Sequence, residues 1–405
     1  MAGRSDHQRQ TLVAPGTPLK LFLVAGEHSG DALGAKLITA LRDEWNGEDL
    51  ELQGVGGPLM AGEGLASLFP LDEVAVMGPV AILKALPRIV RRVYQTVDAA
   101  KAFKPDVIVI IDSPEFTHPI AKRLRRALPD VPIIDYVSPS VWAWRSGRAA
   151  KMAAYIDHVL ALLPFEPEAH RRLGGPACTY IGHPLIERIE WLRALDPEPL
   201  KQRLQLTSQN PVLVVLPGSR GSEIAKLMAP FGDTLCELQR LGVRPQVVLP
   251  AVRSKYDMIE ELARDWPVAP HIVTGEDDKF RAFKLADAAL AASGTVTLEL
   301  GMSRVPMVVA YRVEKAATVV RYLLKIPSVV LANLVLGEEP FPEFLQEHCI
   351  ATKMAPALLE LIQETPARRR QLEALDAIPA AMASLTKHPS ETAAKVVLSY
   401  IRNVE

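Results

Sequence analysis

The chain has 405 residues, 49% of them hydrophobic, with 46 basic against 47 acidic side chains. That length suits two domains with separate cores better than one compact unit. A net charge near zero argues against general nucleic-acid binding, which needs a basic surface to displace counterions. Three scattered cysteines, Cys178, Cys236 and Cys349, offer neither a disulfide framework nor metal-ligand spacing.

Residues 1–20 are polar and lack the apolar core of a signal peptide, so 1–19 read as a loose tail. No apolar run reaches the roughly 18 residues that a membrane-spanning helix requires. An apolar strand is expected at Leu21–Ala25, then a turn, Gly26-Glu27-His28-Ser29-Gly30-Asp31, then a helix over Ala32–Arg42. Gly54-Val55-Gly56-Gly57-Pro58-Leu59 resembles a dinucleotide fingerprint, with leucine where the third glycine belongs.

Charge is unevenly spread. Residues 1–83 hold 5 basic and 11 acidic side chains, residues 84–148 hold 12 and 6. In the basic block, Lys84, Arg88, Arg91 and Arg92 alternate with Ile82, Leu83, Leu86, Ile89, Val90 and Val93. The spacing predicts an amphipathic helix whose apolar stripe either enters the core or lies on an anionic membrane surface.

Further strands are expected at Asp106–Ile111, Pro132–Tyr136 and Val159–Leu163, with a basic helix over Ile120–Leu128. The scheme restarts at Val212–Leu216, with a helix from Ser222 and strands at Gln246–Leu249, Ala288–Ala291 and Met307–Ala310. Continuous apolar strands alternating with helices indicate parallel sheets covered on both faces. The fold class is therefore α/β, with two doubly wound, Rossmann-like domains joined near Gly182–Leu195.

In such folds ligands bind outside the carboxyl ends of the strands, so the turns there carry the candidate chemistry. Glu27 and Ser29 would project from the first turn, where amides opening a helix can receive an anion; Ser29 or Asp31 could instead cap the helix. Asp112 ends its strand and could take a proton from an incoming hydroxyl, or close a turn. Leu216-Pro217-Gly218-Ser219-Arg220 adds a guanidinium to turn amides, a clamp for a diphosphate, and lacks the Gly-Lys-Ser/Thr ending of a P-loop. Ser293-Gly294-Thr295 offers hydroxyls and amides to phosphate, and Glu299, one turn on, could accept from two ribose hydroxyls or serve a helix cap. His183, in Ile181-Gly182-His183-Pro184, reads as a structural hydrogen-bonder. A carboxylate in the first half and a diphosphate-and-ribose site in the second suit a nucleotide-sugar glycosyltransferase.

Eight stretches carry a resemblance: AGEHSGDALGA (25–35), GVGGPLMAGEG (54–64), AVMGPVAILKALPRIVRR (75–92), YVSPSVWAWRSGR (136–148), LALLPFEP (160–167), IGHPL (181–185), LPGSRGSEI (216–224) and ASGTVTLE (292–299). On these the chain resembles the lipid-A-disaccharide synthase family, from about Lys20 to the C-terminal helices. The resemblance implies a GT-B fold with an interdomain cleft. Its divisions are residues 20–185 for the acceptor and membrane side, 186–379 for the UDP-sugar, and a C-terminal helix, 380–405, crossing back.

It further implies inverting transfer without metal or other cofactor, from UDP-2,3-diacylglucosamine to 2,3-diacylglucosamine 1-phosphate (lipid X). The enzyme would sit peripherally on the cytoplasmic face of the inner membrane, and family members can form domain-swapped homodimers.

By matching motif, Asp112 becomes the base, with Glu27 and Ser29 beside it. Arg220 would stabilise leaving UDP, while Gly218, Ser219, Ser293, Gly294, Thr295 and Glu299 hold the donor, and Asn333 joins them. Ile82, Leu83, Leu86, Arg88, Ile89, Val90, Arg91 and Arg92 would meet membrane or acyl chains. Where the family has Leu-Pro-Asn-Leu and then Gly-Arg-Glu, this chain has Leu331-Ala332-Asn333-Leu334 and Gly337-Glu338-Glu339. The missing arginine's task would pass to a residue such as Arg312, Arg321 or Lys325. The competing classes are a UDP-N-acetylglucosamine 2-epimerase, the glycosyltransferase of peptidoglycan lipid II synthesis, and a two-lobed solute-binding protein.

Overall fold

The structure is a computed structural model that describes residues 9–13, 16–45, 49–75, 79–143, 146–312, 327–383 and 388–403, with backbone alone for 79–84 and 402–403. The chain divides into two units. Residues 1–184 and 384–405 form unit 1, and residues 185–383 form unit 2.

Unit 1 is built on a parallel sheet of β2 (Leu19–Ala25), β3 (Leu50–Val55), β4 (Ala66–Ser67), β5 (Val107–Ile111), β6 (Ile133–Tyr136), β7 (His158–Ala161) and β8 (Ala177–Tyr180). Their order is β4-β3-β2-β5-β6-β7-β8. Alternate residues of one strand face opposite ways, and two cores result. Leu21, Leu23, Val109 and Ile111 enter one, under the helix His28–Glu44. Phe22, Val24, Ile108 and Ile110 enter the other, under the helices Pro79–Phe103 and Pro114–Ala127. Every side chain of β5 is buried, the pattern of a strand covered on both faces.

The expected loose tail contains a strand. Here β1 (Thr11–Val13) pairs in parallel with β15 (Ile401–Asn403), Thr11 opposite Ile401. The preceding helix, Pro389–Leu398, sends Ala393, Ala394 and Val397 into the core beside His28–Glu44. Three residues of alternating sequence give no periodicity to read, and their partner lies at the other end of the chain.

Unit 2 repeats the scheme with β9 (Val212–Leu216), β10 (Gln246–Ala251), β11 (His271–Thr274), β12 (Ala288–Ala292), β13 (Met307–Tyr311) and β14 (Glu343–Leu345), all parallel. Their order is β11-β10-β9-β12-β13-β14. Leu213, Val215 and Leu290 pack against Ile224, Leu227, Phe231 and Leu235 of the long helix Gly221–Arg240.

In both sheets the first strand lies between the second and the fourth of its unit, so the winding reverses there. That reversal opens a crevice at the carboxyl ends of β2 and β5 in unit 1, and of β9 and β12 in unit 2. Register sets the neighbours: Ala25 pairs with Ile111, and Leu216 with Ala291. The turns singled out in the sequence therefore leave each sheet side by side.

Candidate active site

In unit 1 the turn after β2 meets the turn after β5. Ser29 Oγ donates to Asp112 Oδ2 across 3.0 Å, and Ser113 Oγ donates to Glu27 Oε1 at 3.5 Å. Two carboxylates and two hydroxyls thus share one crevice. Asp112 and Ser113 both have positive φ, 55° and 48°, a left-handed conformation that non-glycine residues adopt at a cost and that clusters at functional sites. The Ser113 amide bonds to Asp112 Oδ1 at 2.7 Å, and the Asp112 amide bonds to the Tyr136 carbonyl at 2.9 Å, so this backbone is held from both sides. Gly26 is required by contact, because a Cβ there would lie 2.4 Å from Ser113 Cβ. Ser113 is the residue the sequence reading passed over; its signal was only its position next to Asp112.

Asp31 caps no turn of its own helix. Its buried carboxylate accepts from the amides of Gly57 (2.8 Å), Leu59 (3.0 Å) and Met60 (3.0 Å). The Gly56 amide in turn bonds to Ser67 Oγ at 3.2 Å, so the turn amides of the fingerprint-like stretch are spent inside unit 1. His28 is exposed and pairs with Asp72 at 3.0 Å, outside the Asp112 cluster.

Two further motifs meet at the carboxyl ends of β6 and β7. Buried Glu166 accepts from Trp142 Nε1 (3.1 Å) and from the amides of Leu162 (3.1 Å) and Leu163 (3.0 Å). Burial pushes its carboxyl up to about 7 against these favourable bonds. Ser138 and His170 Nε2 lie 2.8 Å apart, and the Trp142 ring meets Phe165 edge-on at 5.0 Å. YVSPSVWAWR and LALLPFEP therefore lock one loop to the other; Trp144 and Arg145 lie outside the described residues. His183 is part-buried and held down to about 4 by burial, a structural setting.

Unit 2 contains a cavity of about 690 Å³ at its switch point. Gly218, Ser219, Arg220, Ser293, Gly294, Thr295 and Glu299 all line it. Gly218 has φ 108°, and a Cβ there would come 2.6 Å from Glu223 Oε2, so the turn needs glycine. Arg220 is exposed and lies 3.3 Å from Glu223. Ser293 Oγ donates to the Val329 carbonyl at 2.7 Å, which leaves its lone pairs for a ligand.

The cavity also brings in Arg253, Glu276 and Lys279, which sequence reading missed. They follow β10, whose turn has no glycine, and β11, whose turn has the single Gly275 ahead of a charged run, Glu276-Asp277-Asp278-Lys279. Lys279 Nζ bonds both oxygens of Glu299, at 2.9 and 3.0 Å. Glu276 pairs with Arg188, whereas Arg253 makes no ion pair among the described residues. Arg312 spends its guanidinium on the carbonyls of Gln346 (3.4 Å) and Cys349 (2.6 Å). Arg321 and Lys325 lie outside the described residues.

Asn333 does not line the cavity. It is buried, giving hydrogen bonds to Ser328 Oγ (3.1 Å) and the Phe341 carbonyl (2.9 Å) and accepting one from the Phe341 amide (3.1 Å). Ser328 adjoins Val329, whose carbonyl receives the Ser293 hydroxyl. Asn333 therefore bears on the cavity through the segment it holds, since its own amide is consumed.

The amphipathic helix splits its predicted membrane face. Ala85, Val93 and Val97 are buried and Ile89 packs on the same core. Leu86 (47% exposed), Val90 (45%) and Tyr94 (53%) stand outward, one helical turn apart. Arg91 is exposed too. Arg92 turns the other way: it pairs with Glu73 at 2.7 Å and lies over the Phe69 ring, 4.7 Å from its centroid. Position 92 follows 85 and 89 on the inward side, so Ile89 and Arg92 turn toward unit 1 itself, away from Leu86, Val90 and Tyr94. The side chains of Ile82 and Leu83 lie outside the described residues. Among the described residues, no helix is long and apolar enough to cross a membrane, and no three His, Cys, Asp or Glu residues gather as a metal site.

The lipid-A-disaccharide synthetase family model matches residues 21–397. The chain is 52% identical over 384 residues to the lipid-A-disaccharide synthase of Nitrobacter winogradskyi, covering 95% of this chain and 96% of that one. It is 42% identical over 385 residues to the lipid-A-disaccharide synthase of Rhodospirillum centenum, covering 95% of each. Among solved structures, UDP-GlcNAc 2-epimerase from Neisseria meningitidis bound to UDP-GlcNAc aligns with a TM-score of 0.59 at 12% identity, over 94% of this chain and 99% of that one. Acinetobacter baumannii MurG aligns with a TM-score of 0.55 at 12% identity, over 94% and 100%. At such identities the likeness shows the fold: two parallel-sheet α/β units of the GT-B class.

Proposed function

The chain belongs to the lipid-A-disaccharide synthase family, and from that premise we propose that it joins UDP-2,3-diacylglucosamine to 2,3-diacylglucosamine 1-phosphate, releasing UDP and a β-1,6-linked disaccharide 1-phosphate. The observation that carries this reading is the unit 2 cavity, where amides, hydroxyls, two guanidinium groups, an ammonium and three carboxylates line a single switch point. Gly218, Ser219, Ser293, Gly294 and Thr295 hold the diphosphate, and Glu299 accepts from the ribose hydroxyls. Arg220 and Arg253 meet the negative charge that develops on departing UDP, the help a transferase without metal needs.

In unit 1, Asp112 takes the proton of the acceptor's 6-hydroxyl. The oxygen attacks the anomeric carbon as that carbon's bond to the diphosphate oxygen breaks, inverting the centre. The proton ends on Asp112 and the electron pair on UDP. Ser29 holds the Asp112 carboxylate by its donated hydrogen bond, and Glu27 with Ser113 lines the same crevice.

Both sugars carry acyl chains, so the chemistry belongs at a membrane surface. We read Leu86, Val90 and Tyr94, with Arg88 and Arg91, as the face turned to the cytoplasmic leaflet of the inner membrane.

The test is UDP release from UDP-2,3-diacylglucosamine with and without lipid X, in detergent containing EDTA. Release that depends on lipid X supports the reading. Release that requires added divalent cation removes its metal-free part. Turnover of plain UDP-N-acetylglucosamine with no lipid X requirement moves the chain to epimerase chemistry.

A further inference from the structure

We propose that Lys279 is a positioning residue of the donor cavity: its ion pair with Glu299 fixes the carboxylate that reads the ribose diol, and so makes the site select ribonucleotides over 2′-deoxyribonucleotides. This rests on the reading of the cavity as a UDP site and adds to it the residue that sets sugar selectivity.

The geometry is that of a built pair. Lys279 stands in the helix Glu276–Leu285 after β11, and Glu299 in the helix Val296–Met302 after β12. The ammonium bridges both carboxylate oxygens, at 2.9 and 3.0 Å, and the two side chains are only 24% and 18% exposed. Lys279 Nζ also lies 4.6 Å from the centroid of the Phe280 ring, which is buried and braced edge-on by Trp191 and Phe283. The ammonium thus has a fixed seat, and both residues line the same cavity.

A carboxylate in a diphosphate site needs a reason and a counter-charge. Of the three glutamates lining the cavity, Glu223 faces Arg220 at 3.3 Å with that arginine exposed, and Glu276 faces Arg188. Glu299 has the most enclosed cation of the three, bonded to both oxygens. A carboxylate has about four acceptor positions, and a bridging ammonium takes one on each oxygen. The remaining position on each oxygen is then held in a fixed direction, suited to two adjacent hydroxyls. Without Lys279 the carboxylate would turn freely and repel the diphosphate beside it.

The experiment measures binding of UDP and of 2′-deoxy-UDP to the full chain and to Lys279→Met, Lys279→Arg and the Lys279→Met/Glu299→Gln double variant. The full chain should bind UDP at least about tenfold more tightly than its deoxy analogue, the scale of one lost charge-assisted hydrogen bond. Lys279→Met should bring the two within about threefold, Lys279→Arg should keep most of the preference, and a Lys279→Met/Glu299→Gln double variant should lose nothing further, as expected of two groups acting as one. If Lys279→Met weakens both nucleotides equally, its ammonium serves the phosphates and the proposal is overturned. A native chain that binds UDP without preferring ribose overturns the proposal while leaving the cavity reading intact. A native chain that binds neither nucleotide overturns the cavity reading itself. Unchanged thermal midpoints of the variants separate all of these outcomes from misfolding.

Discussion

Ser29 donates its hydroxyl proton to Asp112 across 3.0 Å, although 83 positions separate the two residues in the chain. The contact exists because β2 and β5 are neighbours at the reversal of the sheet, and their ends stand in register. It aims the Asp112 carboxylate from the side, while the left-handed backbone at 112 and 113 turns it out of the strand.

From this follows the first prediction. Asp112→Asn should retain UDP affinity and lose about 10²-fold or more in kcat, the usual size of a general-base contribution. Ser29→Ala should keep the base and lower kcat about tenfold, since it removes only the orienting bond. Initial rates with both lipid substrates, beside UDP titrations, check both. A fully active Asp112→Asn enzyme would remove this residue from the base role.

Arg220→Ala and Arg253→Ala should each weaken UDP binding by about tenfold or more, the value of one charge-assisted hydrogen bond to phosphate. Uridine, which has no phosphate, should bind all three proteins alike. Calorimetric titration distinguishes the cases, and an Arg253→Ala chain with native UDP affinity would return that residue to the rim.

On the amphipathic helix, replacing Leu86, Val90 and Tyr94 with serine should abolish sedimentation with anionic vesicles and leave the thermal midpoint within a few degrees, because these side chains already face outward. Arg92→Ser should do the reverse. It removes the partner of part-buried Glu73 and should lower stability by roughly 1–3 kcal/mol, with vesicle binding kept. Equal loss of vesicle binding in both variants would contradict this division of the helix.

Acid should loosen the C-terminal return first. His158 is buried between Tyr400 and Thr179, 3.0 and 2.8 Å away, and burial holds it down to about 4 from 6.5. Its folded form binds protons less readily than its unfolded form, so this stability is present above about pH 6.5 and is lost as pH falls through 4. The amount is roughly 3 kcal/mol at most. His183 acts in the same direction, whereas Glu166, raised by burial to about 7 from 4.5, favours the folded state at low pH and loses that contribution as pH rises through 7. The difference between the native chain and His158→Gln isolates one group: the variant should show a flatter stability profile between pH 4 and 6.5. Hydrogen exchange at Tyr400 and its neighbours should quicken with acid in the native chain and much less in the variant. Identical pH profiles would show that His158 is not the sensor.

The interior strands were legible because being buried on both faces demands unbroken apolar runs such as Val107–Ile111 and Val212–Leu216. The outer strands were not. Leu50–Val55, Ala177–Tyr180, His271–Thr274 and Glu343–Leu345 carry half-exposed, mixed residues, and they are strands because a neighbour offers them hydrogen bonds. The same contrast runs through the site. Glycine-hydroxyl turns after strong strands announced Ser293 and Gly218, while Lys279 and Arg253 sit in ordinary charged sequence and gain meaning only from the cavity they enter.

What the sequence determined by itself is local. Period and turn chemistry dictate which segments become buried strands and which turns leave backbone amides free, and eight motif stretches carry the family. What the tertiary structure decided is every relation across the chain: Ser29 against Asp112, Asp31 against the amides of 57–60, Lys279 against Glu299, Arg92 against Glu73 and Asn333 into its own loop. The physical reason is that a hydrogen bond or ion pair depends on distance and direction between atoms, and strand order, which linear spacing does not encode, sets both.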